Sequence, residues 1–131
     1  MSDRVLVDTS AWISFFRKDT SDASGRVRQL LQVGEPVTTG IVTAELIRGA
    51  VSKTEIDVLD DLFSSIGSLE TKEADFRSAG EMGRRLAVKG LTIGIVDLII
   101  AQIALAHAVP LLTLDRHFDL IARHAPLRLL H

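Results

Sequence analysis

The 131-residue chain predicts an α/β protein, a three-layer α/β/α sandwich around a short, mostly parallel sheet. Two observations carry that reading. Short apolar runs of strand length alternate with segments of helical period, a pattern that closes into a parallel sheet with right-handed crossovers. A carboxylate also stands directly after an apolar run or at a helix start in four places: Val7-Asp8, Ala44-Glu45, Val96-Asp97 and Leu114-Asp115. Strand ends of an open α/β sheet share one crevice, and carboxylates gathered there repel one another unless protons or a cation hold them together.

Each element has its own signal. Residues 4–7 form a short buried strand. Ser10 is the N-cap candidate for a helix starting Ala11-Trp12-Ile13-Ser14-Phe15-Phe16. Residues 18–24 are polar and turn-rich, hence a loop. Val27, Leu30 and Leu31 put a helix over 26–33, with Gly34 suited to its stop. Pro36-Val37-Thr38-Thr39 is a second strand. A helix from Thr43 carries Glu45 and ends near Gly49. Ile56, Leu59, Leu62, Phe63 and Ile66, spaced by threes and fours, give a helix over 55–65, then a weak strand over 66–69. A long amphipathic helix over 73–89 turns Phe76, Ala79, Met82, Gly83 and Leu86 inward. Residues 95–108 are apolar all round, as in a helix buried against a sheet. A strand over 110–114, a helix over 118–123 and a last run over 127–130 complete a single domain, 1–131, without repeats or linkers. The first strand and the 110–114 strand should be adjacent and central, because only that arrangement sets Asp8 beside Asp115.

Composition narrows the function classes. The chain has no cysteine, which excludes thiolate metal sites, disulfides and cysteine nucleophiles. Its charge of −2, with 15 Lys+Arg against 17 Asp+Glu, argues against loose, high-affinity nucleic-acid binding. Weak, local contact with nucleic acid stays open. The most apolar stretch, 91–114, contains Asp97, Gln102, His107 and Pro110. A spanning helix needs ~20 nearly uninterrupted apolar residues, so this is a core segment. Met1-Ser2-Asp3-Arg4 leads into a strand with no signal-peptide core. The expectation is a cytoplasmic protein without membrane contact.

Taken together, Val7-Asp8-Thr9-Ser10, Thr43-Ala44-Glu45-Leu46, Asp97-Leu98-Ile99-Ile100-Ala101 and Leu112-Thr113-Leu114-Asp115-Arg116-His117-Phe118 resemble a PIN-domain ribonuclease, in particular a VapC-type toxin. The resemblance lies in order, spacing and context rather than in any single motif. It implies an endoribonuclease acting on tRNA or rRNA, held by a cognate antitoxin, with a homodimer and higher hetero-oligomers. It maps Asp8, Glu45, Asp97 and Asp115 onto an acidic quartet for Mg²⁺, with Mn²⁺ as substitute, and Ser10 (Thr9 less well) onto the hydroxyl beside the first aspartate. Asp119 stands at a variable position. The chemistry is coherent without the family. Phosphodiester hydrolysis needs charge neutralised and water activated, which divalent cations do. Mg²⁺ takes a few carboxylates plus waters and phosphate oxygens. A ligand set free of Cys and His disfavours zinc.

Each residue also has a plainer role. Asp8 could cap the first helix, and Glu45 could pair with Arg48. The helix dipole favours Asp97 by only ~0.3–1 kcal/mol, too little against the several kcal/mol of burying an unpaired charge. Arg116 and His117 suit phosphate or solvent equally. His107 and His124 read as helix-end residues, and Arg84, Arg85 and Lys89 as a solvated face. Trp12, Phe15 and Phe16 read as core or interface. Two other functions compete. A phosphoryl-accepting switch needs a late lysine, and none follows Lys89; an aspartyl phosphatase wants an acid where Ser10 stands. A stand-alone PIN nuclease or a non-catalytic PIN-like binding module remains the alternative within the resemblance.

Overall fold

The computed structural model describes residues 3–131. Its order is β1 (Val5–Val7), α1 (Thr9–Phe16), α2 (Asp22–Val33), β2 (Pro36–Thr39), α3 (Gly40–Gly49), α4 (Lys53–Ser65), β3 (Gly67–Leu69), α5 (Glu73–Val88), α6 (Ile95–Ala106), β4 (Leu111–Leu112), α7 (His117–Ala122) and β5 (Leu129–Leu130). The strands form one sheet in the order β3-β2-β1-β4-β5. Every pairing is parallel. β1 is therefore the central strand and β4 its neighbour, with Leu6 opposite Leu111 and Val7 opposite Leu112. The chain lays down β2 and β3 on one side of β1 and then returns to β4 and β5 on the other. The topological switch point of this three-layer α/β/α fold thus lies between β1 and β4, where ligand crevices open.

Burial explains why such short strands persist. Leu6, Val7, Leu111 and Leu112 are wholly buried, as are Ile100 and Ile103 of α6. Each such side chain contributes roughly 1.5–3 kcal/mol. Pro36 opens β2, where its missing N–H costs the ladder least. α5 lies so close to α6 that a Cβ on Gly83 would stand 2.7 Å from Leu98 Cδ1. No helix among the described residues is long and apolar enough to cross a membrane.

The differences from the sequence reading are local. α2 begins at Asp22, inside the expected loop, because Ser21 Oγ accepts from Ser24 N at 3.1 Å and caps it. Ser52 likewise accepts from Glu55 N and starts α4 at Lys53. α3 starts at Gly40 rather than Thr43. Ser10 is not a cap: the cap position of α1 is Asp8, and Ser10 lies in the first helical turn. Phe76 is 46% exposed, whereas Ala79, Met82 and Leu86 of the same helix are buried. The stripe facing α6 starts one turn later than the apolar pattern suggests. Trp12 is fully buried against Phe15, Phe16 and Phe63, with its indole Nε1 lacking a hydrogen-bond partner.

Candidate active site

Where β1 ends, the ladder continues one step, with Asp8 N donating to Leu112 O at 2.9 Å. This holds the Asp8 carboxylate, 5% exposed, over the seam between β1 and β4. Its side chain caps nothing in α1. Asp8 Oδ2 instead accepts from Ser10 Oγ at 2.8 Å and from Thr113 Oγ1 at 2.8 Å. Each hydroxyl has one proton and directs it to Asp8. Their lone pairs then accept from the next loop: Leu114 N donates to Ser10 Oγ at 3.0 Å, and Asp115 N to Thr113 Oγ1 at 2.9 Å. Two hydroxyls thereby tie the end of β1 to the loop after β4. Buried polar groups satisfied in this way hold one geometry.

Asp115 and Asp97 arrive from opposite ends of the β4 crossover, Asp97 in the first turn of α6 and Asp115 just past β4. One oxygen of each lies with His117 Nδ1 in a group whose members are all within 4.8 Å of one another. His117 Nδ1 stands 3.4 Å from Asp115 Oδ1 and 3.8 Å from Asp97 Oδ2. His117 N also donates to Asp115 Oδ1 at 2.9 Å. Glu45, on the exposed face of α3, makes no ion pair with Arg48; Thr9 Oγ1 donates to its Oε1 at 2.6 Å. Burial, then the charges of Asp115 and Asp8, and more weakly Glu45, push the Asp97 carboxyl up to about 6, partly offset by His117. One carboxyl therefore feels all three others. Asp119 is turned to other partners, Arg116 at 3.9 Å and His131 Nε2 at 3.4 Å.

The sequence reading passed over one contributor and left the partners of two others open. Thr113 stands inside a quoted motif, but its bond to Asp8 spans 105 positions. Ser10 lies on Asp8, while Thr9, the other hydroxyl of the motif, donates to Glu45. His117 stands beside the acidic group, so the donors within reach are hard carboxylate oxygens and one imidazole nitrogen. Such a set suits Mg²⁺ and, with its nitrogen, Mn²⁺. Burial raises the Asp97 carboxyl most, and the negative charge gathered around it, only partly offset by His117, adds to the rise.

The model of the PIN domain family matches residues 5–124. The chain belongs to the PIN-domain family. This PIN domain is 33% identical over 123 residues to VapC ribonuclease Mb1587 of Mycobacterium bovis and to Ribonuclease VapC11 of Mycobacterium tuberculosis, spanning 91% of its own length and 92% of theirs. Among solved structures, VapBC-1 of nontypeable Haemophilus influenzae matches with a TM-score of 0.77 at 26% identity, over 96% of both chains. DNA-bound VapBC of Salmonella typhimurium shares the fold at a TM-score of 0.78 and 21% identity, over 99% of this PIN domain and 98% of that chain.

Proposed function

We propose that this PIN domain, one unit over 1–131, is a metal-dependent endoribonuclease and the toxin of a type II toxin–antitoxin pair. The observation that carries the reading is the meeting of Asp97, Asp115 and His117 within 4.8 Å, where burial first, and then the charges of Asp115, Asp8 and Glu45, raise the Asp97 carboxyl. Asp8, Glu45, Asp97 and Asp115 would hold Mg²⁺ or Mn²⁺, with His117 Nδ1 as an adjacent nitrogen donor. A bound divalent cation supplies charge neutralisation on the scissile phosphate and the acidity that ionises water near neutral pH.

The chain's own groups do the positioning. Ser10 and Thr113 hold the Asp8 carboxylate in one orientation by donating to the same oxygen. Ser10 acts on the reaction through that contact. Thr9 steadies Glu45 from α1. Thr113 and the His117 amide set Asp115 from both sides. His117, with its side chain 70% exposed, stands at the mouth of the site within reach of an incoming phosphate. The substrate is an RNA of the tRNA or rRNA class, and the compartment is the cytoplasm.

The antitoxin reading draws on the VapBC complexes among the relatives. A groove of about 520 Å³ between α1, α3 and α4 has Glu45 on its wall beside Ile13, Phe16, Leu46 and Val58. Apolar residues of an antitoxin segment would fill it, with an Arg or Lys reaching the carboxylates in bidentate fashion. A homodimer and a larger assembly with the antitoxin complete the proposal. Trp12 is too buried to take part in either interface, leaving Phe16 of the two aromatic candidates.

Sequencing RNA ends after brief induction in cells would name the substrate. Cleavage of that RNA by purified protein, lost in EDTA, restored by Mg²⁺ or Mn²⁺ and absent from Asp8→Asn, is the expected result. Full cleavage in EDTA would defeat the metal reading. Equal activity of the free protein and its complex with the neighbouring gene's product would leave a stand-alone nuclease.

A further inference from the structure

A second cavity, about 260 Å³, opens where α5 and α7 end, lined by Arg84, Arg85, Lys89 and His124 over a floor that includes Met82 and Leu86. We infer that it is a phosphate-binding subsite that grips the RNA backbone a few nucleotides from the scissile bond; this rests on the ribonuclease reading above. No carboxylate lines it. Among the described residues, Arg84, Arg85 and Lys89 make no ion pair, and Glu81, one turn back on α5, joins none of them. Lys89 Nζ lies 3.4 Å from His124 Nδ1. The guanidinium groups of Arg84 and Arg85 and the ammonium of Lys89 are donors only. The polar side-chain groups of the lining therefore offer hydrogen-bond donors with no carboxylate to receive them, the complement of a phosphodiester.

The cations are not explained by capping. Two carbonyls of the last turn of α5 are already closed by the chain itself: Lys89 N and Leu91 N donate to Leu86 O, and Gly90 N to Ala87 O. The dipole at that end amounts to about half a negative charge, well short of three full positive ones. Position supplies the link to RNA. α7 starts at His117, in the acidic group, and the chain reaches His124, in the basic cavity, seven residues later. At ~1.5 Å per residue that is about 10 Å, the length of roughly three stacked nucleotides at ~3.4 Å each. α5 is likewise joined through the 89–94 segment to α6, which opens on Asp97. A protein with net charge −2 and a carboxylate-lined reaction site repels RNA unless a local patch attracts it.

The test compares the wild type with Arg84→Ala/Arg85→Ala/Lys89→Ala by fluorescence anisotropy, using a labelled 12-nucleotide 2′-O-methyl RNA in EDTA from 50 to 200 mM salt. Each lost phosphate contact on a single strand removes about 0.7 from the slope of log affinity against log salt. The triple variant is expected to lose about 1.4–2 from that slope, and 10-fold or more in affinity at 50 mM salt. Its melting temperature should stay unchanged, since these side chains are exposed. Arg84→Lys/Arg85→Lys should keep most of the slope. An unchanged slope and affinity in the triple variant would overturn the subsite. So would RNA binding left intact while binding of a poly-glutamate peptide is lost, which would assign the patch to an acidic protein segment. Failure of the wild type to cleave any RNA strikes the ribonuclease reading separately, because the binding measurement is made in EDTA and does not depend on cleavage.

Discussion

Asp97→Asn removes one negative charge from a group of four and leaves the shape of the side chain almost unchanged. Burial and the neighbouring carboxylates raise the Asp97 pKa from 3.8 to about 6. Because the folded value lies above the unfolded one, the fold binds the extra proton. The stability this gives is complete below about pH 3.8 and is lost as the pH rises through about 6. A shift of roughly 2 units corresponds to ~3 kcal/mol at ~1.36 kcal/mol per unit. The Asp97 side chain is 23% exposed, so solvent screening halves this to about 1.5 kcal/mol. Asn mimics the protonated acid and escapes the loss. In EDTA the variant should match wild type at pH 4 and melt about 5 °C higher by pH 7, at ~3–4 °C per kcal/mol for a chain of this size. Paired thermal melts at half-unit pH steps would read the difference. RNA cleavage should be lost, and added Mg²⁺ or Mn²⁺ should raise the melting temperature of wild type only. A variant that melts below wild type at pH 7, or a difference that does not vary with pH, would refute the account of crowded carboxylates.

Other substitutions probe the same web. Thr113→Val leaves Asp115 N without its acceptor and takes one donor from the buried Asp8, so it should cost about 1–3 kcal/mol in urea unfolding and weaken cation binding as well. Asp8→Asn keeps an oxygen for Ser10 and Thr113; it should abolish cleavage while changing stability by less than about 1 kcal/mol, measured by the same unfolding curves. His117→Ala, at an exposed side chain, should leave the melting temperature of the metal-free protein within about 1–2 °C of wild type and lower Mn²⁺ affinity more than Mg²⁺ affinity in calorimetry. Gly34→Ala places a side chain at φ +74° and should cost about 1 kcal/mol by thermal melting.

What the sequence determined by itself is what neighbouring residues dictate. Alternating strand-length and helical periods give the α/β class, and β2 and the start of α5 fall where the apolar pattern puts them. The adjacency of β1 and β4 was also legible, because four carboxylates on four segments share one crevice only if those strands pair. Helix starts at Asp22 and Lys53 were harder to read: a serine in a polar stretch looks like loop until its hydroxyl is seen to accept the amide three residues on. Folding alone decided what depends on contacts across the chain. Nothing in Thr113 says that its hydroxyl meets Asp8, and nothing near His117 says that its imidazole meets Asp97. The same holds for Lys89 and His124, brought together over 35 positions. Spacing along the chain encodes which face of a helix or strand a residue occupies. Which hydroxyl or ring lies opposite it is set only when the sheet closes and the helices pack, since that geometry belongs to pairs of segments rather than to either one.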